Sequence, residues 1–176
     1  MKQKGKKSIN TGVIGIASTG TGYVTAAGFD ADILIEPHFL NTALHGDEVE
    51  FAVFPQTSKE KITGEITRIV WRAKAEFVGT VDKGKEGALC FVVPDDKKMY
   101  TDILIPPAEA KNIHNNVKVL VQITRWNDPR KNPEGKIVKV LGKKGDNDVE
   151  MESIVLEKGF QMGFSQTVER EAEALE

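Results

Sequence analysis

The sequence lacks the features that define several large classes of protein. It has one cysteine, Cys90, in an apolar run, so no disulfide can form within the chain. No apolar run approaches the roughly 20 residues that span a bilayer. The basic start, MKQKGKKSIN, is not followed by the apolar stretch of a signal peptide. These absences argue against secretion and membrane insertion, and we expect a cytoplasmic protein.

Residues that carry catalysis are also scarce. The three histidines lack the spacing of zinc ligands and have no cysteine partners, so we interpret them as turn residues. Two aspartate pairs, Asp30 with Asp32 and Asp95 with Asp96, flank predicted strands. Their spacing does not give the convergent geometry of a two-metal site, and we interpret them as turn residues too. We therefore expect neither a catalytic set nor a cofactor in these 176 residues.

The net charge of −2 is the sum of a basic segment and a shorter acidic segment. Residues 1–144 carry 22 Lys and Arg against 17 Asp and Glu, whereas residues 145–176 carry 2 against 9. A mildly basic body is thus followed by an acidic tail. A net charge of +5 on the body is compatible with a nucleic-acid partner, although a dedicated DNA-binding protein would be more basic.

The most informative feature is a repeat. DILIEP at 32–37 returns as DILIPP at 102–107, and the similarity extends over two units of about seventy residues. Each unit contains five short segments that are typical of strands, separated by turn residues. The predicted strands lie near 11–17, 22–26, 32–35, 48–54 and 61–71, and near 76–82, 88–93, 102–105, 117–126 and 135–141.

The residues between the strands repeat as well. Pro37 and Pro107 each follow the third strand, where proline ends strand pairing and can start a short helical turn. Gly46 and Asn115, before the fourth strand, are residue types that tolerate left-handed backbone angles.

Gly64 and Gly135, in or beside the fifth strand, indicate bulges that bend a small barrel. Five strands with a helical turn between the third and fourth predict an oligonucleotide-binding (OB) or cold-shock Greek-key barrel. The sequence therefore predicts an all-β protein of two tandem barrels. Two copies are too few for a solenoid, and an immunoglobulin-like sandwich, with about seven strands per unit, is the weaker alternative.

The acidic tail loses the strand pattern. It predicts a first helix that ends at Gly159 and a second that begins after Ser165 and is unfinished where the sequence stops, so we expect a longer parent chain. The predicted organisation is a basic flexible arm, two barrels and an acidic helical segment, at 1–10, 11–73, 74–144 and 145–176.

Four stretches of the second half carry a family resemblance: GTVDKGKEGALCFVVPDD, DILIPP, ITRWNDPRKNPEGKIVKVLG and the tail from DVEMES onwards. Across roughly 10–174 the sequence resembles the N-terminal tandem cold-shock barrels of the ribonuclease II/R family of exoribonucleases, of the bacterial ribonuclease R type. The resemblance implies a catalytic domain and an S1 barrel beyond this chain, with Mg²⁺ held by carboxylates there. This chain is then expected to bind single-stranded RNA and guide it to that domain for 3′-to-5′ cleavage, with a ribosome or helicase as a possible further contact.

Such barrels stack bases on aromatic side chains of strands two and three. The resemblance assigns that role to Tyr23 and Phe91, but the neighbouring stacking positions hold Thr21 and Leu89, and strand three carries leucines. The loss of stacking positions predicts binding that is weaker and more dependent on charge.

Basic residues in the loops are the other candidate RNA contacts, because loops at one mouth of such a barrel grip strands. Trp126 is a further candidate for stacking, although its position at the end of a strand favours a role in covering the barrel mouth. Lys2, Lys4, Lys6 and Lys7 in the arm can attract phosphates. The basic candidates are Arg72, Lys74, Lys83, Lys85, Lys97, Lys98, Arg125, Arg130 and Lys131.

Three other functions remain open at this stage. The first is an RNA chaperone without catalysis, and the second is a scaffold that binds a protein partner. The third, which has the least support, is a hydrolase that acts on its own. The scarcity of aromatic residues favours the scaffold slightly, and a scaffold predicts no affinity for single-stranded RNA at low salt.

Overall fold

The computed structural model of the chain describes residues 10–55, 61–84 and 89–158. A 3-10 helix at Pro37–Phe39 and two α-helices, α1 (Pro107–Ala110) and α2 (Asn147–Glu157), accompany two sets of five strands. The first set is β1 (Asn10–Ile16), β2 (Gly22–Thr25), β3 (Ile33–Ile35), β4 (Glu48–Val53) and β5 (Thr63–Trp71). The second is β6 (Glu76–Lys83), β7 (Cys90–Pro94), β8 (Ile103–Ile105), β9 (Val117–Arg125) and β10 (Glu134–Lys143).

Each set of strands closes into a barrel with the same topology. The orders are β1-β2-β3-β5-β4 and β6-β7-β8-β10-β9. The β3–β5 and β8–β10 pairs are parallel and the other pairs are antiparallel. A five-stranded Greek-key barrel with a helical turn between its third and fourth strands is the OB architecture. The predicted fold class, two such barrels followed by a short helical segment, is confirmed.

The repeated hexapeptide is the third strand of each barrel. In β3 and β8 the two isoleucines are buried and the leucine between them faces outwards. A three-residue strand fixes its register only if its inward side chains fit the core, which explains why the same letters occur twice. As predicted, Pro37 and Pro107 begin the helical turns that follow.

Each barrel has its own apolar core. In the first, Phe51 packs with Ile14, Val24 and Val49, all completely buried. In the second, the cluster includes Phe77, Cys90, Val92, Val119 and Val121. Cys90 is buried, and its burial raises the pKa of its thiol.

Two details of the backbone differ from the prediction. The left-handed residue of the second unit is Asn116 (φ 61°), not Asn115, and it matches Gly46 (φ 88°) in the first unit. The main-chain amide of each donates back to the first strand of its barrel, Gly46 to Ile14 O and Asn116 to Val81 O. In the second unit, the left-handed turn residue before the fourth strand therefore lies one position later than the sequence pattern indicated.

The second difference concerns the predicted bulges. A register shift does occur at Gly135, but the shifts in the β4–β5 pair lie at Glu48/Val49 and Glu50/Phe51, away from Gly64. Gly64 is required for another reason: a Cβ there would lie 2.5 Å from the carbonyl oxygen of Ala52. Close approach of two backbones, and not a bulge, accounts for this glycine.

The two barrels meet at a junction centred on Asp47. Its completely buried carboxylate accepts hydrogen bonds from the backbone amides of Leu44 and Ala73 and from the Arg72 guanidinium, at 2.8 to 3.0 Å. Arg72 also donates to the carbonyl oxygen of Thr42. Burial raises the pKa of Asp47 and lowers that of Arg72. The residues that lead from β5 to β6 are thus held against the first barrel.

Side chains of the second barrel complete this junction. The Tyr100 hydroxyl donates to the carbonyl oxygen of Ala43 at 3.0 Å, and the Tyr100 and Trp126 rings lie 5.9 Å apart. Leu44, from the first unit, packs into the core cluster of the second barrel. Polar and apolar contacts therefore both link the barrels.

Helix α2 packs on the second barrel. The Asp146 side chain caps its first turn, and Val149 covers Gly142 of β10. Its last residue, Glu157, forms an ion pair with Lys74 and accepts from the backbone amide of Val78. The observed helix ends at Glu157, two residues before the predicted end at Gly159. The second helix, predicted after Ser165, lies outside the described residues.

Two glycines of β1 provide a test of barrel packing. A Cβ at Gly12 would lie 2.6 Å from the carbonyl oxygen of Thr25, whereas a Cβ at Gly15 would meet only the Tyr23 oxygen, at 3.8 Å. Gly12→Ala should lower the free energy of unfolding by about 1–3 kcal/mol. Gly15→Ala, the control in the same strand, should change it by less than about 0.5 kcal/mol. Urea denaturation measures both; equal effects would contradict the described packing.

The junction tyrosine predicts an alkaline loss of stability. Burial raises the pKa of Tyr100 to about 12. Since the folded pKa lies above the unfolded value of about 10, the contribution is complete below pH 10 and is lost as the pH rises towards 12. Tyr100→Phe should cost about 1 kcal/mol at neutral pH and remove part of that alkaline loss.

Thermal unfolding as a function of pH measures this effect. Tyr23→Phe is the matched control, because the Tyr23 side chain is exposed on β2, away from the junction. It should leave both the neutral stability and the alkaline loss close to those of the unaltered chain. A Tyr100→Phe curve that follows the unaltered chain up to pH 12 would show that the Ala43 hydrogen bond contributes nothing.

Candidate nucleic-acid interface

Tyr23 lies on the outer face of the first barrel. Its neighbours in β2, Gly22 and Val24, are buried, so the tyrosine faces outwards, and 43% of it is exposed. It pairs with Leu34 on β3 and with Gly15 on β1. Strand geometry thus places one aromatic ring on the surface, with an aliphatic side chain beside it.

Phe91 occupies the same place in the second barrel. It pairs with Leu104 on β8 and with Asp82 on β6, between the buried residues Cys90 and Val92. The ring is half-buried, so one part of it packs on the barrel and the rest meets solvent. The apolar surface continues along the same face at Leu89 and Val93, which are 55% and 41% exposed. This surface, Leu89 with Phe91 and Val93, is called the β7 platform below.

Three predicted contacts converge in the loop between β9 and β10. Arg125, Trp126 and Lys131 line one open pocket of 290 Å³. The Trp126 ring nitrogen donates to the carbonyl oxygen of Lys131 at 2.9 Å, which fixes the indole against the loop. The remaining lining is polar: Asn127, Asp128, Asn132 and Glu134. This loop pocket combines an aromatic ring, amide groups and two cations.

The arginines of the loop are paired but exposed. Arg125 donates to Glu134 at 2.5 Å with 63% of its side chain exposed, and Arg130 pairs with Asp128 at 3.0 Å with 88% exposed. The Arg130 guanidinium lowers the pKa of Asp128. Exposed pairs of this kind are weak, so a phosphate can compete for either arginine. The Lys131 side chain has no hydrogen bond or ion pair with the described part of the chain.

Arg72 has a different environment from the loop arginines. Its guanidinium is held by Asp47 and Thr42, and it lies 5.8 Å from the centre of the Trp126 ring. It therefore supports Trp126 from the junction side, and its hydrogen-bond donors are directed into the protein. An RNA contact by Arg72 stays a prediction.

The other predicted lysines are distributed over the second barrel. Lys74 pairs with Glu157 and Asp96, and the Lys83 ammonium donates to the carbonyl oxygen of Ala110 at 2.8 Å. Lys98 lies 2.9 Å from a ring nitrogen of His45, and Lys97 is exposed without a hydrogen bond or ion pair to the described residues. Lys85 and the lysines of the arm lie outside those residues.

The acidic helix α2 neutralises several cations of the barrel. Besides the Glu157–Lys74 pair, Glu152 pairs with Lys139, and Glu150 lies 3.6 Å from Lys118. Lys118 is nearly buried, and Asp95 is its closer partner. The turn residue Asp95 and helix α2 together cover this strand lysine.

A second groove was not indicated by the sequence analysis. It is an open groove of 480 Å³ between β6, β7 and the turn before β9. Its lining includes Thr80, Asp82, Val93, Asn115 and Lys144. Thr80, Asp82 and Val93 lie within the stretch GTVDKGKEGALCFVVPDD, but only strand register shows that they line one groove.

The aspartates considered for a metal site have other roles. Asp32 accepts a hydrogen bond from Thr25, Asp95 pairs with Lys118, and Asp96 accepts from the backbone amide of Lys98. Among residues 10–55, 61–84 and 89–158, no three His, Cys, Asp or Glu side chains converge on a point that could hold a metal ion. No helix in this part of the chain is long and apolar enough to cross a membrane.

Comparison with known proteins identifies both barrels. The family model described as Ribonuclease B OB domain matches residues 12–69, and the Cold shock domain model matches residues 91–165. Ribonuclease R of Thermotoga maritima is 32% identical over 164 residues, which cover 91% of this chain. These are the tandem barrels of the ribonuclease R family. Ribonuclease R of Escherichia coli is 31% identical over 123 residues.

The fold agrees with this family. The structure of Mycoplasma genitalium RNase R in complex with ribose methylated single-stranded RNA superposes with a TM-score of 0.80 at 25% identity. It covers 94% of this chain and 27% of the RNase R chain. This chain likewise spans 23% of the T. maritima enzyme and 15% of the E. coli enzyme. The similarity thus concerns the barrel region of ribonuclease R and leaves most of each relative unmatched.

Proposed function

We propose that this chain is the single-stranded RNA-binding region of a ribonuclease R-like 3′-to-5′ exoribonuclease, and that it captures RNA and guides it to a catalytic domain. The observation that carries the proposal is the loop pocket, where Trp126 lies beside Arg125 and Lys131. An aromatic ring beside cations is the combination that holds a base and its phosphate. A similar solved RNase R, at 25% identity, was obtained with single-stranded RNA.

Binding by these barrels combines stacking and charge. Tyr23 and Phe91 each offer one ring on an outer strand face, so stacking is limited to few bases. The remaining affinity comes from cations that release counterions when they meet phosphates, which makes binding depend on salt. Exposed loop cations contribute to this term, whereas Lys74 and Lys118 are occupied by α2 and by turn aspartates.

The proposal assigns RNA cleavage to a part of the parent protein other than these barrels. Mg²⁺ belongs to that catalytic domain, an S1 barrel to the same parent chain, and the cytoplasm is the proposed location. We further propose that the parent protein contacts a ribosome or a helicase.

A second candidate is a scaffold or an RNA chaperone without a link to catalysis. Four exposed apolar side chains favour a protein contact: Val138 and Val140 on β10, and Met151 and Ile154 on α2. A scaffold would leave the loop pocket without a role in RNA binding. The two candidates therefore differ in what they predict for RNA affinity at low salt.

Fluorescence anisotropy with a labelled 15-nucleotide poly(U) RNA tests the proposal. Binding should weaken with salt between about 50 and 200 mM. Each lost phosphate contact should reduce the magnitude of the slope of log K against log[salt] by about 0.7. Arg125→Ala and Lys131→Ala should each show that change. Phe91→Ala and Tyr23→Ala should each weaken binding by about fivefold, which corresponds to the loss of one weakly stacked base.

Arg68→Ala is the matched control for Arg125→Ala. Arg68 pairs with Glu50 across strands of the first barrel and is 64% exposed, nearly the same environment as the Arg125–Glu134 pair. It lies outside the loop pocket, and its loss should leave the slope unchanged. No binding to poly(U) at the lowest salt would reject RNA capture by this chain and favour the scaffold.

A further inference from the structure

The second groove lies next to the β7 platform. Thr80 and Asp82 on β6 pair with Val93 and Phe91 on β7, so all four side chains belong to the outer face of the same two strands. Thr80, Asp82 and Val93 line the groove of 480 Å³. A base that stacks on Phe91 therefore has a polar groove directly beside it.

The turn before β9 forms the other wall, and its backbone is fixed. Asn116 donates from its amide to Val81 O, and its carbonyl accepts from the amide of Lys144. The Asn115 side-chain oxygen accepts from the backbone amide of Lys83 at 3.0 Å. Because this bond uses the oxygen, the amide nitrogen of Asn115 remains available as a donor.

The two carboxylates of the groove differ in their availability. Asp95 is occupied by Lys118, whose ammonium is nearly buried. Asp82 is exposed and has no hydrogen bond or ion pair with any described residue. The exposed carboxylate of Asp82 can accept hydrogen bonds from a ligand that presents N–H donors. Val93 and Pro94 supply an apolar surface for the flat face of such a ligand.

The first barrel lacks a carboxylate at the position that corresponds to Asp82. There the residues opposite Tyr23 and Thr25 are Gly15 and Val13, so the position of Asp82 has no side chain. The supporting turn is nevertheless kept, because His45 accepts from the amide of Ile16 as Asn115 accepts from that of Lys83. The carboxylate is thus an addition specific to the second barrel.

We propose that the groove binds a guanine base of single-stranded RNA, with the Asp82 carboxylate accepting from N1–H and from the exocyclic amino group. Guanine presents these two donors side by side, whereas uracil presents one donor between two acceptors. Single-stranded RNA is read in this way, by hydrogen bonds to splayed bases that stack on a side chain. The Asn115 amide nitrogen is the donor available to guanine O6. This inference rests on the proposed function, because it assigns one subsite to the same RNA strand.

The test compares RNAs that differ at two positions. Anisotropy is measured with 15-nucleotide poly(U), with the same RNA carrying two separated guanosines, and with inosine, which lacks the exocyclic amino group, in their place. The guanosine RNA should bind about fivefold more tightly than poly(U), at the lower end of what a bidentate contact gives. Inosine should lose most of that preference.

Asp82→Asn separates reading of a base from general affinity. It should abolish the preference for guanosine and leave poly(U) binding equal or slightly tighter, because a negative charge is removed near the phosphates. Glu109→Gln, which removes an exposed charge on α1 outside the groove, is the matched control and should keep the preference. Both substitutions are at exposed positions, and unchanged thermal unfolding verifies the fold.

The outcomes distinguish the two proposals. Equal affinity for poly(U) and the guanosine RNA, or a guanosine preference that survives Asp82→Asn, would overturn the guanine subsite and leave RNA capture standing. Absence of binding to every RNA would instead overturn the proposed function, and the subsite with it.

Discussion

The arrangement of the two barrels depends on one buried carboxylate, Asp47. Three donors from two separate parts of the chain converge on it: the Leu44 amide before β4, and the Ala73 amide and Arg72 guanidinium after β5. A buried charge is tolerated only when its hydrogen bonds are satisfied. Removal of Arg72 would leave that charge unpaired, so the path from β5 to β6 is strongly constrained. Trp126, which contacts Arg72, is positioned by the same constraint.

The two barrels have the same framework and different surfaces. Both keep buried isoleucines in the third strand, an aromatic ring on the second strand and a side-chain acceptor that fixes the turn before the fourth. The second barrel adds the loop pocket and the groove beside Phe91, and α2 packs on it as well. Among the described residues, the second barrel therefore carries more of the features that suit RNA binding, while the first barrel contributes Tyr23 and supports the second through the junction.

Local patterns predicted the fold well because each of them acts on neighbouring residues. Alternation of apolar residues, proline after the third strand and the repeat itself all have short-range causes, and the strands they predicted are present. The contacts at the junction and under α2 were not predictable. Asp47 and Arg72 are far apart in sequence, and Lys118 is covered only after a later helix packs on β9. The position of Asp82 was not predictable either, because only the β6–β7 register shows that it lies opposite Phe91.

Nuclear magnetic resonance mapping of backbone amides during titration with poly(U) at low salt tests the central claim most directly. The account predicts shifts on the β7 platform, at Leu104, in the loop from Arg125 to Glu134 and, on the first barrel, at Tyr23 of β2, with little change around the Glu50–Arg68 pair. The Asp47 junction should stay unperturbed except near Trp126. Shifts confined to the β4–β5 surface, or spread evenly over both barrels, would contradict an RNA-binding face on the second barrel.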